Sequence, residues 1–320
     1  MKETTWYDLF VGLLCEKQQK NVQLTYELMK LLDLEHEAVY RRLKKIVPFP
    51  AHEIAKIASA WDISLDEIMS INLETIPFLM YWYSYLNPTT SEISCIQSRV
   101  GMLDNLCTAQ QSEFLDISNT IPKPFIVGFP NLHRVLLFNW VYQYCSDRSF
   151  KYYSKVIIPN LISSEFDRYK ESIRHIRNSS FILDEMVFEY FVTTVQYFHS
   201  IMRITDSEKE LIKNELHDLL DYITEITNKG FYPETQQKVN IYISQINIDT
   251  NYSYLCTDKQ ETCHIHAFCM SEILSQDLRM IANFKKWMIL KKRTSYQISE
   301  VNERSRFEYL AKQREIINML

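Results

Sequence analysis

The sequence predicts a mainly α protein, with a five-helix head over residues 1–72 and a larger, mostly helical α+β body over 73–320 that carries a small three-stranded antiparallel sheet. Three observations lead there. The first seventy-odd residues repeat apolar side chains at helical spacing between well-placed caps, and stripes of the same period return through much of the remainder. Near residue 239 the period drops to two for three short runs, as half-buried strands require. Length also favours a head and a body over one domain. With 46% hydrophobic and 23% charged residues, the composition is that of a chain that buries a core.

Thr5 is placed to cap a first helix with Trp6, Leu9, Phe10, Leu13 and Leu14 on one face. Asn21 precedes a second helix that turns Leu24, Leu28, Leu31 and Leu32 inward. After a break at Asp33-Leu34, a third helix from about 35 to 45 buries Val39 and Leu43, which are four apart and share a face. Pro50 suits the first turn of a fourth helix, whose stripe is Ile54, Ile57, Ala58 and Trp61. Ser64 and Glu67 form a capping box for a fifth, with Ile63 stapling to Ile68.

In the body, the aromatic run Tyr81–Tyr85 ends at Asn87-Pro88-Thr89-Thr90. A long helix is expected from about 91 to 115, with Ile96, Val100, Leu103 and Leu106 on one stripe. A loop rich in proline and glycine covers 121–130, and helices follow over 131–144, 160–175 and 184–202. Thr205 and Glu208 form a second capping box, opening a helix to about 228 that points Leu211, Ile212, Leu216, Leu219 and Ile223 inward. The alternating runs are Val239, Ile241, Ile243, then Tyr252, Tyr254, then Cys263, Ile265, Ala267, Cys269. Polar turns at Asp249-Thr250-Asn251 and Asp258–Glu261 split them, so they read as one antiparallel meander. Helices over 272–290 and from 302 to the end close the chain.

Several function classes are disfavoured. The four glycines, Gly12, Gly101, Gly128 and Gly230, are too dispersed for a phosphate-cradling loop. No His-Glu-x-x-His helix and no glycine-flanked serine elbow occurs. Neither an enzyme nor a cofactor is expected. Seven scattered cysteines, an odd number, suit reduced thiols. The amino terminus lacks a signal-peptide pattern, and the longest aromatic-apolar run, Ile76–Leu86, is too short to cross a bilayer. The expected location is therefore the cytoplasm, without membrane contact. Since net charge is −5, any affinity for nucleic acid has to come from a local patch.

Such a patch lies on the third helix. With Val39 and Leu43 inward, Glu35, His36, Glu37, Tyr40, Arg41 and Lys44 face outward. The segments Leu24-Thr25-Tyr26-Glu27-Leu28, Ala38-Val39-Tyr40-Arg41-Arg42-Leu43, Glu53-Ile54-Ala55-Lys56-Ile57-Ala58 and Ile63-Ser64-Leu65-Asp66-Glu67-Ile68 together resemble the helix-turn-helix head of the Cro/lambda-repressor (XRE, BetR-like) class of transcriptional regulators. The body stretches Ile121-Pro122…Phe129-Pro130-Asn131-Leu132, Ile241-Tyr242-Ile243-Ser244…Tyr252-Ser253-Tyr254-Leu255 and Arg306-Phe307…Gln313-Arg314-Glu315-Ile316 resemble long regulators that share this head. The resemblance implies a repressor-type head with the third helix in the major groove of double-stranded DNA. His36, Tyr40 and Arg41 are then the candidates for base edges, because each reaches far and donates hydrogen bonds, while Arg42, Lys44 and Lys45 are the candidates for phosphates. The body is expected to form a homodimer, to sense a small-molecule or protein effector, or both. The alternative is a protein-interaction scaffold whose head no longer binds DNA. Glu35 and Glu37 favour it, as does Asp33 where a turn glycine is usual.

A second constellation has the chemistry of a zinc site: Cys256, Cys263, His264, His266 and Cys269. On a strand, however, Cys263 and Cys269 would point to one side and His264 and His266 to the other. Ordinary strand packing is the expectation, with no metal. Lys285, Lys286, Lys291, Lys292 and Arg293 read as the solvated side of a helix and its exit, and Trp140 with Tyr144 as core.

Overall fold

The computed structural model describes residues 5–17, 21–61, 63–70, 76–107, 109–144, 150–258 and 261–320. The chain divides into two compact units, Met1–Pro77 and Phe78–Leu320.

In the first unit the helices are α1 (Trp6–Lys17), α2 (Asn21–Leu32), α3 (His36–Leu43), α4 (Ala51–Ala60) and α5 (Leu65–Ser70). They enclose a core of Phe10, Leu14, Leu24, Leu28, Val39, Phe49, Ile57 and Ile68. The cap on α1 is reciprocal: Thr5 Oγ1 accepts from the Asp8 amide at 3.3 Å, and Asp8 Oδ2 accepts from the Thr5 amide at 3.0 Å. Trp6, expected inward, is 42% exposed. Of the expected box on α5, the Glu67 side chain lies outside the described residues, but Ile63 and Ile68 both join the core.

Two left-handed residues set where α3 begins and ends. Asp33 has φ 56, and the Leu34 amide donates back to the Met29 carbonyl at 3.2 Å, closing α2. Lys45 has φ 59, and the Ile46 amide donates to the Arg41 carbonyl at 2.9 Å, closing α3. Glycine ordinarily supplies this conformation because a Cβ disfavours it. Here an aspartate and a lysine bear that cost.

The second unit overturns the expected fold class. Instead of a small three-stranded antiparallel sheet it carries an eight-stranded mixed sheet of order β1-β7-β6-β5-β2-β3-β4-β8. The strands are β1 (Leu79–Tyr81), β2 (Ser112–Ser118), β3 (Asn178–Asp184), β4 (Lys238–Ser244), β5 (Tyr252–Thr257), β6 (Glu261–Ala267), β7 (Ser271–Ser275) and β8 (Ser295–Gln297). Between them lie α6 (Thr90–Cys107), α7 (Lys123–Ile126), α8 (Pro130–Tyr144), α9 (Asn160–Arg174), α10 (Val187–Ser200), α11 (Asp206–Lys229) and α12 (Leu278–Arg293), with α13 (Glu303–Asn318) at the end. β2, β3 and β4 run parallel, and β5, β6 and β7 continue the sheet antiparallel from β2.

Each face of the sheet has its own core. On one, Leu115, Ile117, Ile182, Tyr254 and Cys263 pack with Ile281, Phe284 and Met288 of α12. On the other, Phe114, Phe181, Leu183, Val239, Ile241 and Ile243 pack under α8, α10, α11 and α13. Parallel strands need long crossovers, and those helices then cover the sheet. β2 and β3 are consequently buried along nearly their whole length.

Four expectations for the body change accordingly. The helix expected over 91–115 is two elements, because α6 ends at Cys107 and β2 follows. The alternating run at 239–243 is not part of a meander with the next two; β4 pairs parallel to β3 and antiparallel to β8. The helix expected from 272 begins only at Leu278, where Asp277 caps it by accepting from the Arg279 amide at 2.8 Å, and β7 occupies the preceding residues. Leu211, expected inward on α11, is 53% exposed, whereas the Thr205–Glu208 box is present as read.

α11 ends in a left-handed Gly230, φ 75, where an added Cβ would run into the Glu300 side chain. Gly230→Ala is expected to destabilise the second unit by about 1–3 kcal/mol, through the backbone penalty and the clash together. Adding Glu300→Ala is expected to return the clash portion and leave the backbone portion. Urea midpoints of the two variants check this.

Candidate functional site

α3 stands between two fixed ends, and its buried side chain, Val39, anchors it to the head's core. Its outer face is therefore set by helical geometry. Glu35, His36, Glu37, Tyr40, Arg41, Lys44 and Lys45 are all exposed. The His36 and Tyr40 rings stack at 6.4 Å, one turn apart, and the Lys44 ammonium lies 5.8 Å from the Tyr40 ring centroid. His36, Tyr40 and Lys44 thus form one continuous ridge, with Arg41 beside it. Glu35 precedes the helix in extended conformation and makes no side-chain capping bond.

The structure separates Arg42 from that set. Its guanidinium grips Glu53 of α4 with two bonds, Nε–Oε2 at 2.6 Å and Nη2–Oε1 at 2.8 Å, while Nη1 donates to the Ala38 carbonyl at 3.2 Å. The Arg42 and Glu53 side chains retain only 15% and 7% exposure. Arg42, expected to face phosphate, instead ties α3 to α4. Lys45 is exposed but ion-paired with Asp8, and that contact, with the Thr5 bonds, holds the Asp8 carboxyl well below the usual carboxylate range. Both the pair and the left-handed Lys45 backbone sit at the exit of α3.

The zinc-like constellation does not converge, and among the described residues no group of three or more His, Cys, Asp or Glu is arranged to hold a metal ion. Cys263 faces α12, where burial pushes its thiol up to about 12. Cys256 lies on the same face. Cys269 does not share the face of Cys263, as strand alternation had suggested. It sits in the β6–β7 turn at φ 65, with its Sγ 3.9 Å from Asn139 of α8. His264 and His266 lie on the face opposite α12, as alternation requires.

There the two histidines join a charged cluster that sequence reading missed. Glu272 of β7 pairs across the ladder with His266 and with Tyr81 of β1. Its Oε2 accepts from Arg99 of α6 at 2.7 Å and lies 3.3 Å from His264 Nδ1, while Oε1 accepts from Lys123 of α7 at 3.1 Å. Thr262 Oγ1 stands 3.0 Å from His264 Nε2. Arg99 Nη2 also lies 3.4 Å from His264 Nδ1. A proton on Nδ1 lets the ring donate to Glu272 and accept from the threonine hydroxyl at Nε2, and leaves Arg99 bonded to Glu272 rather than to the ring. The Arg99 guanidinium lies 4.8 Å from the Tyr81 ring centroid. Burial alone would raise the Glu272 carboxyl, but Lys123 and Arg99 hold it well below its ordinary range.

Asp116 of β2 occupies the same face, in line with Ser253 and His264. It is 4% exposed and accepts a hydrogen bond from Ser118 Oγ. Burial pushes its carboxyl up to about 8, against the pull of Lys123. The lysine has its own carboxylate in Glu272, so Asp116 is left without a cation of its own.

Compared with protein-family models, with curated proteins and with solved structures, the chain matches none.

Two predictions follow from this geometry. Arg42→Ala leaves Glu53 buried and unpaired, and is expected to cost the head about 3 kcal/mol. Hydrogen exchange of head amides in the full chain checks it. A head of unchanged stability that loses only DNA affinity would return Arg42 to the phosphate-facing set. The second prediction concerns Asp116. Its folded pKa lies above its unfolded value of about 4, so the folded state holds a proton that the unfolded state has lost, and stability falls as pH rises from about 4 to about 8. Asp116→Asn keeps the acceptor for Ser118 and cannot ionise. Its melting temperature is expected to decline less than wild type across that window and to exceed it at pH 8; parallel curves would refute the assignment.

Proposed function

We propose that the chain is a sequence-specific, DNA-binding transcriptional regulator in which α3 enters the major groove and the second unit serves dimerisation, effector sensing or both. The observation that carries this reading is the ridge on α3. Long hydrogen-bonding side chains, His36, Tyr40 and Arg41, project from a short helix whose opposite side is anchored in a core and whose ends are fixed by left-handed turns. A major-groove reader needs that combination, because base discrimination fails if the helix can roll. Its fit to the repressor-type plan rests on the same segments that carry the sequence resemblance.

On this reading His36, Tyr40 and Arg41 face base edges, and Lys44, with Lys45 at the helix exit, faces phosphate. Arg42 is a positioning residue that acts through Glu53. One short helix reads few base pairs, so two copies bind, with their recognition helices about 34 Å apart on one side of the duplex. Among the described residues no helix is long and apolar enough to cross a membrane.

A scaffold with a retained head is the second reading, and one observation favours it. Glu35 and Glu37 are exposed at the start of α3, where a reading helix approaches the groove most closely. A salt series on the purified protein with its own promoter fragment and with random DNA separates the readings. The regulator binds the promoter more tightly, and its affinity falls as salt rises; the scaffold binds neither at low salt. Within the regulator, Arg41→Ala is expected to cost about 1–3 kcal/mol on the preferred sequence and to relax base preference. Lys44→Ala is expected to weaken binding to all sequences and to reduce the salt slope by about one per protomer. Equal effects of both variants on promoter and random DNA would overturn these roles.

A further inference from the structure

The sheet of the second unit ends at β1, and its rim there is apolar. Phe78, Leu79 and Met80 are 42%, 39% and 45% exposed, and β1 pairs with β7 alone among the described strands. Leu79 and Met80 point to opposite faces, but on a terminal strand both border the rim.

At one end of this rim three exposed rings pack together. Trp82 lies 6.3 Å from Tyr144, at the end of α8, and 5.4 Å from Phe268, while Tyr144 lies 6.0 Å from Phe268, centroid to centroid. The three are 50%, 39% and 47% exposed. Rings at these separations touch one another, so the cluster offers an outer surface rather than a cage for a small ligand. Phe268 reaches it from the β6–β7 turn, where it and Cys269 are left-handed, φ 50 and 65. That conformation is ordinarily left to glycine or asparagine.

Size and charge decide what such a surface fits. With about 150–250 Å² to each large side chain, these six leave roughly 500 Å² uncovered per chain. Contact of the patch with its own copy therefore covers about 1,000 Å² in total, the size at which specific interfaces begin. No charged residue occurs in the segments 76–86 and 267–271. A terminal strand that stays solitary ordinarily carries charge, which keeps it from associating. A twofold contact sets residues near its axis against their own copies, so any charge there would meet its like. An uncharged rim meets that condition, in a chain whose net charge of −5 otherwise opposes self-association.

We propose that this rim is the homodimer contact of the second unit: two copies meet about a twofold axis, each burying Trp82, Tyr144, Phe268 and the start of β1 against the other. The inference deepens the dimerisation part of the reading above and rests on it for its biological meaning. It also suits the spacing that reading needs. β1 is the first strand after the head, and from Ser70, at the end of α5, to Leu79 the chain reaches at most about 30 Å. An axis through the rim tethers both heads near it and leaves slack for recognition helices about 34 Å apart.

Sedimentation velocity of the full chain over a concentration series, without DNA, tests the contact. Wild type is expected to dimerise at micromolar concentration. Trp82→Ser and Phe268→Ser are each expected to weaken the dimer about tenfold or more, and Phe307→Ser, which removes a ring 74% exposed on α13, to leave it unchanged. Hydrogen exchange of the unmutated chain gives a second readout that does not depend on how a variant folds. Amides of 78–82 and 267–271 are expected to gain protection as concentration rises through the dimer midpoint. A chain still monomeric at about 0.1 mM overturns the proposal. So does a dimer that neither Trp82→Ser nor Phe268→Ser weakens in proteins of native circular dichroism, or one whose formation leaves those amides unchanged. Protection already complete in the monomer also overturns it, and would assign the rim to a contact within one chain. A dimer that binds no DNA fails only the regulator reading, and a monomer that binds its promoter fails only this inference.

Discussion

The second unit is organised by one constraint: β2 and β3 have no solvent face. Two parallel strands at the middle of a mixed sheet can pair only if the chain crosses over between them, and the crossing segments are α7 to α9 and then α10 and α11. Those helices bury one side of the strands. The other side, lined by Leu115, Ile117 and Ile182, remains apolar and is covered by α12, which arrives only after β5, β6 and β7 have been laid down. Each layer of the unit is thus a consequence of the preceding one. Where the sheet leaves its parallel half, charged groups replace apolar ones on the face opposite α12. Glu272, His264, His266 and Asp116 lie there, with Arg99 and Lys123 over them.

The same constraint decides which elements the sequence disclosed. β4 kept its alternation because Lys238, Asn240 and Tyr242 are at least partly exposed while Val239, Ile241 and Ile243 are buried. Its period of two was therefore legible, although its neighbours were not. β2 and β3 show no clean alternation because both faces are covered, and their adjacent apolar residues, Phe114-Leu115 and Phe181-Ile182-Leu183, are too few to tell a strand from part of a helix. The helix expected over 91–115 therefore takes in the first four residues of β2, Ser112 to Leu115. β7 was missed for a different reason: with five residues there is too little length for a period to emerge. The capping box at Thr205 and Glu208 was legible because its chemistry is local.

Site residues divide along the same line. The exposed ridge of α3 could be read from the sequence, because a single helix with one buried stripe places every other residue by rotation. The role of Arg42 could not, since its partner Glu53 lies on the next helix and no local spacing joins them. The cluster around Glu272 was further out of reach. Its members come from α6, β2, α7, β6 and β7, and only the sheet register makes His266 and Glu272 neighbours. Even so, alternation on β6 was enough to separate Cys263 from His264 and His266, and so to argue against the zinc reading.

The charge on α3 bears on how such a head would discriminate. Arg42 is paired with Glu53, and Lys45, though exposed, is paired with Asp8, so the remaining exposed charges of Glu35 and α3 with its exit are Arg41 and Lys44 against Glu35 and Glu37. That balance is close to zero. Phosphate attraction is the term shared by all DNA sequences, and a face with little net charge gains little from it. On the proposed reading, a head built this way would give up general affinity, and correct sites would be favoured by base contacts and by the pairing of two heads on one duplex. The protein's net charge of −5 acts in the same direction. For such a regulator the geometry that positions α3 matters more than its charge. The inward pair of Arg42 with Glu53 and the two left-handed turns, held by residues that adopt them at a cost, are the parts of the head that supply that geometry.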